Sequence, residues 1–381
     1  METLQRTANR GSVSTGYDVD NSCKLETDNS EFLTRDVSSA GSRTTATISI
    51  WLKRTELSTS QFIFEFGNTD NDDGRIFGRF QTDDTLRIAG GSTVWRNTNR
   101  VFRDTAAWYH IVVAFDTTQS TADNRIKLYI NGVQETSFST TNNPSEDGLL
   151  GLNFQKQTIG SSHVDSTGHF AGYMTEIVGL DGTASAQTEF GEFDSDSGIW
   201  KPKDVSGLTF GTNGFYLDFE NASNMGNDVS GGTDFTENNI SSADQATDTC
   251  TNNFAIINTL FKYPSSQVIN EGATKVDRTS GSGINKTFYS TFAMTAGKFY
   301  FEAQPTEGSG TMIGVESITT ASNTDADSVF VGQQSTGVGY YASNGQKFTS
   351  GSGSSYGDTY GNSDIIGVAL DMDNRKVYFA K

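Results

Sequence analysis

Proline is nearly missing from this chain, with four residues in 381. Cysteine is scarcer still: Cys23 and Cys250 lie far apart in sequence. Two cysteines build no disulfide framework, so free thiols are expected. No Cys-x-x-Cys or His-x-x-x-His spacing occurs, which excludes a zinc site. Positive charge is also short. Lys and Arg number 27 against 46 Asp and Glu, a formal net charge of −19. Such a surface repels phosphate backbones, anionic lipid and polyanionic glycan, so no nucleic-acid partner is expected. No apolar run reaches membrane length, and no membrane insertion is expected. The opening METLQRTANRGS lacks the apolar core of a secretory signal, which predicts folding in a cytoplasm. Long helical periods and Leu-Ala-Glu-Lys runs are absent as well.

What the chain has is glycine, 40 residues of it, with much Ser, Thr, Asn and Asp between short apolar segments. This is turn-punctuated strand material, and the fold class is all-β. The stretch 107–134, AWYHIVVAFDTTQSTADNRIKLYINGVQ, shows the pattern. Ile111, Val113 and Phe115 share one face of a strand, and Ile126, Leu128 and Ile130 share one face of the next. Asn131-Gly132 marks a tight turn after them. In TATISIWLKR, Ile48, Ile50 and Leu52 face one way and Trp51 the other. Further segments follow at spacings of roughly ten residues, the rhythm of a two-sheet sandwich. IIGVALDMDNRKVYFA near the end repeats the strand–acidic turn–strand device.

Four regions emerge. Residues 1–20 are polar and aperiodic, an N-terminal arm. Residues 21–220 form a first sandwich, whose last part (182–214) is irregular and anchored by Phe190, Phe193, Trp200 and Phe210. Residues 221–284 are an irregular Asn/Asp/Ser/Thr-rich connector with sparse apolar pegs: Met225, Phe235, Ile240, Phe254, Ile256 and Ile257. It is expected to lie on a domain surface. Residues 285–381 form a second sandwich.

SIWLKR (49–54), FRDTAAWYHIVVAFDTTQSTADNRIKLYINGVQ (102–134), FAGYMTEIVGLDG (170–182), GIWKPK (198–203) and GTNGFYLDFEN (211–221) together resemble a laminin-G-like domain. The resemblance is to the concanavalin A-like jelly-roll superfamily, in the version found in tailed-phage virion proteins. KFYFEAQ, MIGV, GVGYYASNGQKF and YGDTYGNSDIIGVALDMDNRKVYF resemble a SPRY domain, also a concanavalin A-like sandwich. In that family further strands normally follow the one that ends here, so the second domain is expected to be incomplete. The resemblance implies two jelly-roll sandwiches joined by a connector. It also implies a non-enzymatic virion component: a tail fibre, spike or capsid-decorating protein. Its loops would hold a host surface glycan or protein, or a neighbouring virion subunit. The arm would attach it to the particle as a homotrimer, and the connector pegs would bury between copies. The alternatives are a secreted carbohydrate-binding lectin module and a glycan hydrolase.

The hydrolase alternative needs paired carboxylates on one strand face. EFDSD supplies Glu192, Asp194 and Asp196, but the expected terminal Glu is missing, and the resemblance puts the segment in an outer loop. GNTDNDDGR (67–75) crowds Asp70, Asp72 and Asp73, which makes calcium a candidate cofactor. Sugars stack on flat rings, so Trp95, Tyr340 and Tyr341 are candidate ligand contacts, with core packing as the alternative for each. His169, in the loop SSHVDSTGHFAG, is a further candidate contact. His110, at the start of a strand, reads as structural.

Overall fold

The computed structural model describes residues 16–67, 74–153, 155–164, 167–261, 267–278, 287–306, 310–317 and 330–381. They divide into two units: Met1–Thr259 with Asn270–Lys275, and Leu260–Ile269 with Val276–Lys381. Among the described residues the regular elements are strands and short 3-10 turns.

The first unit is built on two eight-stranded antiparallel sheets. Sheet A runs β10 (Val133–Gln134), β9 (Ile126–Ile130), β8 (Tyr109–Asp116), β3 (Thr45–Arg54), β13 (Gly172–Asp181), β1 (Ser22–Leu25) and β18 (Gln245–Ala246); β16 (Phe215–Leu217) also pairs with β13. Sheet B runs β11 (Phe138–Thr141), β7 (Thr93–Val101), β6 (Thr85–Gly90), β5 (Arg75–Phe80), β4 (Gln61–Gly67), β12 (Lys156–Ile159), β2 (Phe32–Asp36) and β17 (Thr236–Asn238).

The core between them follows from alternation. In sheet A, Ile50, Ile111 and Ile130 lie opposite one another across three strands, as do Ile48, Val113 and Leu128. All belong to the main buried cluster. In sheet B, bulky rings face glycines. A Cβ on Gly78 would stand 2.5 Å from the Phe64 ring, and one on Gly90 would stand 2.2 Å from Trp95. The strand glycines thus make room for large core rings, each of which stabilises the fold by about 1.5–3 kcal/mol when fully buried. Asn131 and Gly132 both have positive φ (48° and 79°), the geometry that a two-residue hairpin turn requires.

The chain after β13 covers the outer face of sheet A. β14 (Gly191–Phe193) and β15 (Trp200–Pro202) form a small hairpin there. Phe190 and Val205 pack with Val112, Val178, Leu180 and Tyr216 in a second cluster. Phe190 and Trp200 are therefore anchors as expected, whereas Phe193 is 53% exposed. His110 lies in a ring stack, 4.5 Å from Trp51 and 5.9 Å from Trp200. Trp200 Nε1 donates to its Nδ1 at 2.8 Å, which leaves Nε2 to donate to Ser49 Oγ at 2.8 Å. Complete burial pulls its pKa down to about 3, so it is neutral and structural.

The stretch 221–258 adds β17 to sheet B and β18 to sheet A. Met225, Phe235, Ile240 and Ile256 are buried in this same unit, while Phe254 is 48% exposed. Most of the pegs therefore belong to this unit's own interior. The segment before β1 docks as well: Val19 is buried, and its backbone bonds to Thr249 and Thr251.

In the second unit, β21 (Lys298–Ala303), β26 (Ile366–Asp371) and β27 (Lys376–Ala380) form one sheet. A second sheet contains β22 (Met312–Val315), β23 (Val338–Tyr341), β24 (Gln346–Thr349) and β25 (Ser352–Ser355). Ile313, Tyr340, Ala342, Tyr360, Ile366, Val368 and Phe379 share one core drawn from both sheets. A further hairpin, β19 (Gln267–Asn270) with β20 (Lys275–Arg278), carries the 270–275 tip that belongs to the first unit.

Candidate functional site

The residues singled out from sequence do not converge. Trp95 is 0% exposed and sits in the sandwich core, 6.3 Å from the Phe115 ring, so its face is closed to any ligand. Tyr340 is likewise interior. It is 2% exposed, ringed by Tyr356, Tyr360 and Phe379, and its carbonyl accepts from Tyr360 Oη at 2.6 Å. Alternation along β23 puts one tyrosine inside and its neighbour partly outside; Tyr341 is half-buried against Phe348. His169 is also half-buried, stacked at 5.6 Å on Phe32, and burial lowers its pKa. Asp70, Asp72 and Asp73, and with them the calcium expectation, lie outside the described residues. No group of three or more His, Cys, Asp or Glu that could hold a metal occurs among the described residues.

The EFDSD carboxylates have other work. Asp194 follows β14 and caps its turn, accepting from the backbone of Asp196 at 3.1 Å and of Ser197 at 2.9 Å. Lys201 lies 3.4 Å from it and 3.5 Å from Glu192. Asp194 has no exposed side-chain surface, while Glu192 is half exposed. One buried turn cap and one surface acid do not make an acid–nucleophile pair.

The outer face of sheet B is the richer surface, and the sequence analysis did not single it out. Register places Thr34, Thr158, Glu65, Phe77 and Ala89 in one row across five strands. The next row holds Phe62, Arg79, Arg87 and Asn97. Phe62, Phe77 and Ala89 form a small buried cluster. Arg75 and Arg79 lie over both rings, with centroid distances of 4.8–5.7 Å. Glu65 is fully buried beneath the loop that follows β12. It accepts from Arg75 Nε at 2.9 Å and Nη2 at 2.7 Å, and from the backbone of His163 and Val164 at 3.1 Å each. His163 Nδ1 stands 3.2 Å from Glu65 and 2.9 Å from Thr158 Oγ1, and burial is the main cause of its lowered pKa. Hydrolysis needs a second carboxyl about 5–10 Å away. Among the described residues, arginine, imidazole, hydroxyl and aromatic groups surround Glu65, a set that ties the loop to the sheet. The signal was present in QFIFEFG, where one acid interrupts a phenylalanine run.

On the outer face of sheet A, Glu176 occupies a bulge in β13 with φ of 48°. It accepts from Tyr216 Oη at 2.9 Å and from Tyr17 Oη at 3.3 Å, and the two hydroxyls are 2.9 Å apart. The bulge re-aims the side chain into this buried cluster. Burial, with Asp218 and Glu220 nearby, pushes its pKa up to about 8.

Comparison with known proteins places both units. Residues 26–188 match the concanavalin A-like lectin/glucanases superfamily, and residues 298–381 match the SPRY domain. No curated protein matches the sequence. Similar solved structures include a putative carbohydrate binding protein from Bacteroides ovatus, 14% identical, TM-score 0.36; the match covers 58% of this chain and 59% of that one. A heptameric SAP-like pentraxin from Limulus polyphemus is also 14% identical, TM-score 0.36, with 53% and 94% covered. Domain 4 of an extracellular arabinanase from Geobacillus stearothermophilus is 22% identical, TM-score 0.30, with 41% and 68% covered. At these scores the likenesses do not bear on function. The family matches and the sheet topology agree: this chain carries a concanavalin A-like jelly-roll domain followed by a SPRY domain.

Proposed function

We propose that the chain is a non-enzymatic adhesion component of a tailed-phage virion, a tail fibre, spike or capsid-decorating protein, that holds a host surface glycan or protein. The observation that carries the non-enzymatic part is the commitment of the relevant carboxylates. Asp194 caps a turn, and Glu65 is locked by Arg75 and two backbone amides. Neither is free to shuttle a proton or attack a sugar. The virion part rests on the set of sequence motifs in 49–54, 102–134, 170–182 and 198–221. Assembly as a homotrimer would multiply weak contacts by raising effective concentration. With most connector pegs buried in their own unit, attachment and assembly fall to the N-terminal arm, whose residues 1–15 lie outside the described residues.

The test is location. Antibody against the chain should label purified particles at symmetric positions. Deleting residues 1–15 should release the protein from particles while its unfolding midpoint stays unchanged, because Tyr17 and Val19 are retained. A chain found only free in the lysate, or one that still joins particles after the deletion, contradicts this assignment.

A further inference from the structure

The outer face of the β21–β26–β27 sheet presents two exposed tyrosines in register. Tyr300, Ala369 and Tyr378 lie directly opposite one another across the three strands. Tyr300 is 64% exposed and Tyr378 54%, unusually open for large rings on a regular sheet. Tyr300 is held across the sheet. A Cβ on Gly367, on the neighbouring strand, would stand 2.5 Å from its Oη, and that hydroxyl donates to Glu302 Oε1 at 2.8 Å. The glycine lets the ring reach over the middle strand, and the carboxylate fixes its tip. Between the two rings the floor is the exposed methyl of Ala369.

The flanking rows are polar. On one side Lys298, Asp371 and Lys376 share a row, with Lys298 Nζ 3.7 Å from Asp371. On the other, Glu302 stands beside Gly367 and Ala380. Two lysines and two acids leave this face without net charge. Two strand spacings, about 10 Å, separate the backbones of the two tyrosines, and the Tyr300 ring leans over the middle strand between them.

We propose that this face is a platform for a neutral oligosaccharide, with Tyr300 and Tyr378 stacking on two rings of one glycan chain and the lysine and carboxylate rows taking the hydroxyls. The inference deepens the adhesion reading above and rests on it. Size separates a glycan from a protein partner. Three strands of this length offer roughly 200 Å², against about 800 Å² per side for a stable protein interface. Charge separates neutral from acidic sugars, since the face has no net charge and the whole chain carries −19.

Affinity electrophoresis of the full chain through gels containing dextran, galactomannan or xylan tests this, with hyaluronan as the acidic comparison. At least one neutral polymer should retard the wild type, and hyaluronan should not. Tyr300→Ala and Tyr378→Ala should each weaken retardation roughly thirtyfold, the threshold of a binding hot spot, while Tyr300→Phe keeps most of it. Ala369→Arg, which fills the floor and leaves both rings, should abolish it. Unchanged unfolding midpoints would show that the variants fold. Retardation that survives both alanine variants overturns the platform and leaves glycan adhesion standing. Retardation by hyaluronan alone overturns the neutral specificity. A wild type retarded by none of the polymers contradicts both the platform and the glycan form of the adhesion reading.

Discussion

Replacing Asp248 by alanine is expected to destabilise the first unit by about 3–5 kcal/mol, the range for stripping one partner from a buried ion pair. Lys53 is 0% exposed on the outer face of sheet A. Its ammonium donates to Asp248 Oδ2 at 2.7 Å, to Asn253 Oδ1 at 2.8 Å and to the Phe254 carbonyl at 2.7 Å. Asp248 Oδ1 also accepts from Trp108 Nε1 at 3.0 Å. Burial lowers the Lys53 pKa, and Asp248 is the main group opposing that shift. The alanine variant leaves a buried cation with two neutral acceptors. Because three of its partners lie in 248–254, the loss should also free that segment, and protease should cut there before the sandwich unfolds. Lys53→Met with Asp248→Leu should recover much of the loss, since an apolar pair avoids the desolvation cost of both charges. Denaturant midpoints measure all three proteins. A single-variant loss under about 1 kcal/mol, the range of exposed pairs, would show that Lys53 does not need its partner.

Stability should fall as pH rises from about 6.5 to about 8, and Glu176→Gln should remove much of the fall. Glu176 has a pKa pushed up to about 8, and Glu31 one of about 7, in both cases chiefly through burial. A carboxyl with a raised folded-state pKa holds its proton in the native state after the unfolded chain has released it. Between the unfolded value, 4.5 for Glu, and the folded one, the native state therefore binds more protons, and stability declines with pH. Asp84, by contrast, is held below its ordinary value by Ser58, Arg103 and Arg54 against burial. Its contribution is lost only on acidification below the usual aspartate range. The histidines oppose the two glutamates below 6.5: burial pulls the pKa of His110 down to about 3 and lowers those of His163 and His169, so their contribution is lost as pH falls below the ordinary histidine value. The alkaline side is governed by Glu176 and Glu31. Glutamine at 176 cannot ionise and can still accept from Tyr216 and Tyr17. At pH 9 the variant should melt several degrees above the wild type, a gain on the order of a few kcal/mol, with little difference at pH 5. Parallel melting curves for the two proteins from pH 5 to 9 would contradict the assignment.

Alternation made the sandwich legible. Ile48, Ile50, Leu52, Ile111, Val113 and Phe115 could be assigned to one core face from spacing alone, because a half-buried strand has a strict period of two. The same period could have exposed Tyr300, which sits on the polar phase of KFYFEA between Phe299 and Phe301. Composition cannot say which ring of a strand faces out when both faces are apolar. That is why Trp95 and Tyr340 read in sequence as either core rings or ligand contacts, and the fold decides for the core. The 221–258 stretch defeats pattern reading for another reason. Its pegs are spaced by the grooves of a sandwich that other residues build, so no period appears within it. Arg35 shows the device: it bonds Asp228 at 2.8 Å and stacks on Phe215 and Phe235 at 5.2 and 4.8 Å, joining three distant segments.

The central claim, that the chain binds glycan without cleaving it, meets its most direct test in one paired measurement. Purified full-length chain is incubated with surface polysaccharide from the bacterial host, and both bound polysaccharide and released reducing ends are followed. The account predicts saturable binding with no increase in reducing ends over hours. Steady release that vanishes in Glu65→Gln or Glu192→Gln would contradict it and would make one of those carboxylates catalytic.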